Sequence, residues 1–424
     1  MTLGWLRADT RCYLVAVFLL ALLLRVGFVL TYDGGKLRYD RWYASDAETY
    51  VGYAESLAER GEYDWLGFPA RRAPLYPWLI AGVRAAGGSL VTVRIVQAIL
   101  GAATCLCAYG LARELWDRRV GYLAAGLVAV YYPLIQSCGY IMSEALYTLL
   151  LSVALLLATM GLRRDRLHLL AAAGFVLGAS ALCREVSVPV AVLATAAIAV
   201  AAKRPLRRRL GRAAVFAGLA ACAVLPWTAR NYAVLSAFVP ISASSGHTLY
   251  IGNNDHTTGG TGGAWTLDDT EYPAEEVVGA PFFTVEADAK LRRMALDYIK
   301  SHPKRTATLA GRKFVNMWRP YYAKASTAGK AITAAMYVPA MLLALAGLAT
   351  SWRNWRDQAV VLAALATFAL VHVVSIAEIR YRYPVMPAIL CYSAAGAFLL
   401  LGRIKKRRAQ RGAPISTKTR NENA

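Results

Sequence analysis

Acidic residues and histidines are scarce in this sequence, and their scarcity narrows its chemistry. Aspartate and glutamate number 26 against 48 lysines and arginines, with five histidines. His247 and His256 share one polar region with Asp255, and His302 precedes Pro303. No helical HxxxH pair or other paired-ligand spacing occurs, so no metal site is specified. No cofactor is required by the pattern, although a divalent cation assisting a phosphate is compatible with it. The seven cysteines (Cys12, Cys105, Cys107, Cys138, Cys183, Cys222 and Cys391) all lie in or beside apolar runs. None falls in the long polar stretch where an extracytoplasmic disulfide would be useful. The Cys105-Leu106-Cys107 spacing is wrong for a zinc or redox pair, and a helix points those side chains apart. They read as small core residues. There is no tandem repeat, and the N-terminal apolar run lacks the small-residue cleavage pattern of a signal peptide.

What the chain has in abundance is apolar length. Of its 424 residues, 57% are hydrophobic, and they cluster in runs of about 17–25, the length a helix needs to cross a bilayer. Such runs cover 12–31, 93–116, 120–138, 146–162, 168–183, 186–202, 213–229, 331–350, 358–376 and 384–402. The expected fold class is an all-α polytopic membrane protein with about ten transmembrane helices. A formal charge of +22 could suggest nucleic acid, but the basic residues form short clusters between apolar runs. Asp117-Arg118-Arg119, Arg163-Arg164-Asp165-Arg166, the Lys203-to-Arg212 cluster, Trp352-Arg353-Asn354-Trp355-Arg356 and Lys405-Lys406-Arg407-Arg408 all fall on one side if the N-terminus is inside. This is the bias of cytoplasmic loops facing anionic lipid, and it excludes nucleic acid as the partner. Both termini are then cytoplasmic.

Residues 1–402 form the expected membrane domain, and 403–424 a basic cytoplasmic tail, polar and disordered beyond Arg411. Two polar regions lie outside: a first loop, 32–92, and a larger one, 230–330, too long for a plain connector. In the larger loop, Gly246 to Asn254 leads into a glycine-rich stretch ending at Gly262-Gly263. A helix is predicted over Ala287 to Lys300, stopped by Pro303, and a second over about Thr306 to Trp318. Arg25, one to two turns before the outer end of the first run, either snorkels to the interface or meets a lipid phosphate.

The first outer loop carries the sharpest signal, Tyr43-Ala44-Ser45-Asp46-Ala47-Glu48-Thr49-Tyr50. Ser45 with Glu48 three residues on is a capping-box pattern, so a helix is predicted to start there and to end at Gly61. Its spacing puts Asp46 and Tyr50 on one face. Asp46 can complement the helix dipole, but a carboxylate there can also take the proton of an attacking hydroxyl, so Asp46 is the candidate catalytic base. Glu48 reads as the cap's second half or as a further acid. Glu144, at the outer start of a run after Ser143, is likewise a cap or a second acid.

Positive charge also collects on this outer side, against the usual bias. Arg72, beside Arg71 and before Pro74, is joined by Arg184, Arg230, Arg380 and Arg382. A planar guanidinium can bind two phosphate oxygens at once, which suits a phosphate leaving group. Arg380 and Arg382 cannot both face inward on a straight helix, so one of them is expected to do so. Tyr50, Tyr76 and Trp78 are either interfacial belt aromatics or the lining of a sugar or lipid path, with His247 and Asn253 as further substrate-lining candidates.

Together these segments resemble the GT-C superfamily, in particular glycosyltransferase family 39, which includes the protein O-mannosyltransferases and the lipid A aminoarabinose transferase. The resemblance runs from Ser45-Asp46 through Arg72-Ala73-Pro74-Leu75-Tyr76-Pro77, Pro133 to Leu146 and Leu182-Cys183-Arg184. It continues through Pro226-Trp227-Thr228-Ala229-Arg230-Asn231-Tyr232 and Gly246 to Asn254, closing at Arg380-Tyr381-Arg382-Tyr383-Pro384. It implies a GT-C fold, a polyprenyl-phosphate-linked monosaccharide donor, and extracytoplasmic transfer with inversion to a hydroxyl of a glycan, lipid or protein. By the same resemblance the catalytic acid of the first loop is Asp46, the basic residue before the Pro-Leu run is Arg72, and the later acid is Glu144. Many relatives have adjacent Asp-Glu, whereas Ala47 separates Asp46 from Glu48 here, so neither relative's specificity carries over. The compact build points to a bacterial inner membrane. The rival expectation is a polyprenyl-phosphate carrier or flippase, which needs the arginines but not Asp46.

Overall fold

The computed structural model describes residues 8–31, 44–201, 204–259, 284–322 and 325–411. These are helical throughout, with no strand among the described residues. In chain order the helices are α1 Ala8–Thr31, α2 Ala44–Arg60, α3 Leu75–Ala85, α4 Leu90–Leu115, α5 Arg118–Val130, α6 Tyr132–Gln136, α7 Glu144–Arg163, α8 Leu167–Ala181 and α9 Ser187–Ala201. They continue with α10 Leu206–Leu235, α11 Ser245–Gly252, α12 Val285–Ser301, α13 Pro303–Trp318, α14 Thr327–Ser351, α15 Trp355–Val374 and α16 Met386–Arg411.

Local sequence sets the helix ends. Ser89 and Thr92 close a reciprocal capping box on α4, and the Asp117 side chain accepts from the amides of Arg119 and Val120 to start α5. Gly61 leaves α2 at φ +69°, a conformation costly for any residue with a Cβ. Ser45 lies one residue inside α2, and its side chain is outside the described residues. Pro303 does not simply stop a helix. It opens α13, where its missing N–H costs nothing, so α12 and α13 meet at His302.

Among the described residues, six helical stretches are long and apolar enough to cross a membrane: Asp9–Thr31, Leu90–Leu115, Glu144–Arg163, Leu206–Leu235, Thr327–Val374 and Ile379–Leu401. The fifth contains α14 and α15, joined by the single turn Trp352–Asn354. Arg118–Val130 and Tyr132–Gly139 make a seventh if the pair, bent by 55°, counts as one span. Each of the ten expected runs therefore has a helix, although not every one is long enough by itself to cross a membrane. The α8 and α9 helices have 15 residues each, about 22 Å at 1.5 Å per residue, less than a bilayer core. α16 continues past residue 402 into the basic tail as far as Arg411.

α4 packs on α1, α5 and α7; α7 on α8; α8 on α10; α9 on α15; and α16 on α14 and α5. Glycines let the closest pairs touch backbone to backbone. A Cβ on Gly174 or Gly178 of α8 would come within 2.2 Å of a carbonyl oxygen of α10, that of Phe216 or Ala220. These two sit one turn apart, the small-residue seam by which helices associate in lipid.

The bend after α5 is held by Arg25, which is fully buried. Its guanidinium donates to the carbonyls of Ala21 and Ala129 at 3.0 Å and of Val128 at 3.1 Å. Arg25 thus neither snorkels nor faces a lipid phosphate. It caps the open end of α5 at the break before Pro133, where stranded carbonyls would be costly. Beyond the break, Gln97 donates to the carbonyls of Cys138 (3.0 Å) and Tyr140 (2.7 Å), and Arg94 to that of Gly139 (3.3 Å). The bend delivers Ser143 and Glu144 to the end of the bundle that carries α2, α3 and α11. The seven cysteines are free thiols.

Candidate active site

At that end of the bundle, Asp46 occupies the first turn of α2, with Tyr50 one turn further on the same face. The connection from α2 to α3 is tied down so that Arg72 reaches back to them. The Tyr63 hydroxyl donates to the carbonyls of Arg72 (3.1 Å) and Ala73 (3.2 Å), and the Arg71 amide donates to the Tyr53 hydroxyl at 3.1 Å. Leu75 N–H bonds Leu182 O at 2.8 Å, and Ala243 N–H bonds Ala70 O at 2.7 Å. With its backbone fixed, Arg72 donates to Asp46 Oδ1 and lies over the Tyr50 ring at 5.3 Å.

The other oxygen of Asp46 is taken from the far end of the chain. Arg380, in the tight helical turn Ile379–Val385, donates from Nη2 to Asp46 Oδ2 at 3.1 Å and from Nε to Glu378 Oε2 at 2.8 Å. Beside them Arg184 pairs with Glu144 at 2.9 Å. The Tyr381 ring lies 5.3 Å from the Arg380 guanidinium and 5.6 Å from that of Arg184, and the His372 ring stacks on it at 4.7 Å. Three guanidiniums, of Arg72, Arg184 and Arg380, thus meet three carboxylates, of Asp46, Glu144 and Glu378.

Burial alone would raise the Asp46 carboxyl, but Arg72 and Arg380 more than offset it and hold the group well below the usual carboxylate range. Arg72 shows the converse: burial disfavours its charge, and Asp46 restores it with a surplus. Glu185, next to Arg184 and bonded by the Ser242 hydroxyl, is pushed up by burial. His247 is pushed down to about 4 by burial, with the charges of Arg71 and Arg72 adding to the effect.

Not every candidate residue joins this cluster. Arg230 donates to the carbonyls of Pro69 (2.7 Å) and Tyr63 (2.9 Å) and lies 4.8 Å from the Trp227 ring, bracing the α2–α3 connection. Arg382 is buried, donating to the carbonyls of Met317 (2.7 Å) and Arg319 (2.6 Å) over the Tyr337 ring at 3.9 Å. The expectation that one of Arg380 and Arg382 faces inward therefore resolves to Arg380. The Asn253 amide donates to the carbonyls of Leu249 (2.8 Å) and Val374 (2.9 Å), and its oxygen accepts from Lys313 at 3.1 Å. It ties α11 and α13 to the end of α15 rather than lining an opening. Tyr76 is fully buried, its hydroxyl donating to Gln97 and its ring edge-on to Tyr50 at 4.9 Å. Trp78 is partly exposed and edge-on to Trp227 at 5.5 Å. Glu48 is exposed on the opposite side of α2. Glu378, Glu185 and Tyr381 are additions that the sequence reading did not single out. Among the described residues no group of three or more His, Cys, Asp or Glu side chains is placed to hold a metal ion.

Residues 71–227 match the family described as dolichyl-phosphate-mannose-protein mannosyltransferase. The fold is similar to that of the archaeal oligosaccharyltransferase AglB from Archaeoglobus fulgidus, solved in complex with an inhibitory peptide and a dolichol-phosphate. The TM-score is 0.58 at 16% identity, over 99% of this chain and 53% of that one. The apo form of the Archaeoglobus fulgidus oligosaccharyltransferase gives 0.56 at 16% identity, over 97% and 52%. ArnT from Cupriavidus metallidurans bound to undecaprenyl phosphate gives 0.44 at 16% identity, over 96% and 82%. The chain spans about half the length of the AglB structures it matches. Comparison with curated proteins finds no match. The GT-C fold expected from the sequence is the fold observed, and the resemblance to that superfamily is borne out.

Proposed function

We propose that the protein is an integral-membrane glycosyltransferase that moves a monosaccharide from a polyprenyl-phosphate-linked donor to a hydroxyl on the extracytoplasmic side, with inversion. The observation that carries this is the convergence of Arg72 and Arg380 on Asp46, a carboxylate and two phosphate-binding forks at one point. In this reading the sugar's anomeric carbon lies between Asp46 and the arginines. The acceptor oxygen attacks from the Asp46 side, and Asp46 takes its proton as the bond forms. Arg72, Arg380 and Arg184 meet the charge that grows on the departing phosphate. Tyr50, which packs against Arg72, forms part of the wall of the sugar site. This chemistry requires no cofactor, and a divalent cation assisting the phosphate is compatible with it. A bacterial inner membrane, with the site outside and both termini inside, is the setting we propose.

The test is lipid and glycan profiling of a strain lacking the gene, complemented with wild type or Asp46→Asn. The expected result is an accumulated polyprenyl-phosphate sugar and one missing sugar, both corrected by wild type and neither by the variant. Correction by Asp46→Asn removes the aspartate from the chemistry and leaves a carrier or flippase as the better reading.

A further inference from the structure

The ion pairs of the site raise a difficulty for the proposed reaction. Asp46 has one oxygen bound by Arg72 and the other by Arg380, so the base and the proposed phosphate-binding groups neutralise each other. Two guanidiniums converging on one anion is also the arrangement a phosphate would require. We infer that the Asp46 carboxylate sits where the donor phosphate must bind, so that the isoprenoid phosphate and the Asp46 carboxylate compete for Arg72 and Arg380. This rests on the glycosyltransferase reading and extends it to how the site is switched on and cleared.

The geometry gives the competition a direction. Arg380 is shared, since its Nε stays on Glu378 at 2.8 Å while Nη2 reaches Asp46 at 3.1 Å. Glu378 is therefore a positioning residue that can hold Arg380 in place while its outer nitrogen changes partners. The Tyr381 ring, which lies against the guanidiniums of both Arg380 and Arg184, limits how far either can swing. Donor arrival draws the two forks off Asp46, and the freed carboxylate becomes a stronger base only when a donor is present. Transfer then forms the bond from acceptor oxygen to anomeric carbon and breaks the carbon–oxygen bond to phosphate. That electron pair stays on the phosphate oxygen, and the acceptor proton passes to Asp46. The donor is a phosphodiester with one negative charge, whereas the product is a phosphomonoester with close to two, which the arginines would hold more tightly. When Asp46 gives its proton to solvent it regains its charge and its claim on Arg72 and Arg380, which helps to expel that product.

The experiment is equilibrium binding of farnesyl phosphate to the full chain in detergent, with inorganic phosphate titrated in parallel. Asp46→Asn, which removes the competing charge, is expected to bind farnesyl phosphate about tenfold more tightly than wild type or better, the scale of a coupling between sites that share ligands. Asp46→Glu, which keeps the charge, is expected not to show that gain. Unchanged or weaker binding by folded Asp46→Asn overturns the inference, as does a gain seen for inorganic phosphate but not for farnesyl phosphate. If Asp46→Asn does not fold, Asp46→Ala carries the test, because it removes the same competing charge. It is likewise expected to bind farnesyl phosphate about tenfold more tightly than wild type, and no change or a loss overturns the proposal. Full transfer activity in Asp46→Asn would be a separate failure, that of the glycosyltransferase reading, and is read by turnover rather than by affinity.

Discussion

Arg380 and Arg382 stand two residues apart in the sequence and in different environments in the fold, so the same substitution at each should have opposite consequences. Arg382→Gln strips two short hydrogen bonds from the carbonyls of Met317 and Arg319, at 2.7 and 2.6 Å, and a contact with the Tyr337 ring at 3.9 Å. A hydrogen bond from a charged donor contributes about 1.5–3 kcal/mol, and a desolvated cation–π contact about 2 kcal/mol. The gross loss of about 5–8 kcal/mol is reduced because burying a guanidinium itself costs several kcal/mol, leaving a net destabilisation of about 3–5 kcal/mol. Arg380→Gln removes ion pairs whose carboxylate partners are 21–22% exposed, and such pairs contribute about 0–1 kcal/mol each. Its stability should fall by no more than about 1–2 kcal/mol. Its affinity for an isoprenoid phosphate should fall about 10- to 100-fold, the loss of one charge-assisted contact. Both effects can be read on full-length protein in detergent. Thermal unfolding can be followed with a thiol-reactive dye that reports the buried Cys105, Cys138, Cys183 and Cys391, and binding by farnesyl phosphate titration. An Arg382 variant that unfolds with wild type, or an Arg380 variant that keeps wild-type affinity, would refute the assignment of the two side chains.

Two further outcomes follow from buried charges. Arg25→Met should lower stability by about 2–4 kcal/mol by stranding the Val128 and Ala129 carbonyls at the bend, whereas Arg25→Lys should recover only part of this. Full recovery by lysine in the same unfolding assay would restore the snorkelling explanation. His247 is held at about 4 in the fold against about 6.5 in an unfolded chain. The unfolded state therefore binds the proton first, and stability falls as pH drops from about 6.5 towards 4. Replacing His247 by Asn should flatten that part of the thermal unfolding profile, and an unchanged slope there would argue against it.

Much of this architecture was legible in the sequence because lipid leaves the backbone few choices. Runs such as 93–116 and 384–402 read as helices since an apolar chain in hydrocarbon must satisfy its own N–H and C=O groups. The basic turns expected on the other side from Asp46 do sit at the opposite end of the bundle, where Arg163 pairs with Asp357 and Arg164 with Glu114. Partners could not be read. Asp46 and Arg72 lie in the same outer loop, but nothing in their spacing pairs them, and Glu378 carries no more signal than a carboxylate two residues before an arginine. Arg380 and Arg382 were indistinguishable because their roles depend on a tight turn rather than an α-helix, and on α13, which supplies the carbonyls that Arg382 needs. Pro133 lies just past the bend, within the run 120–138 that reads as a single span. What filled the gap was a charge, Arg25, more than a hundred positions away, and no local pattern announces that.

The Asp46–Arg380 contact joins positions separated by 334 residues. At a synthesis rate of about 5–20 residues per second, the arginine emerges roughly 15–70 s after the aspartate. Until then the nascent protein presents the first loop with one of its two guanidinium partners untranslated. A ribosome stalled or terminated anywhere before Arg380 yields a membrane-inserted fragment that cannot complete the cluster. Maturation of this centre thus waits on the segment that carries Arg380, and chains ended before it should be inert rather than partially active.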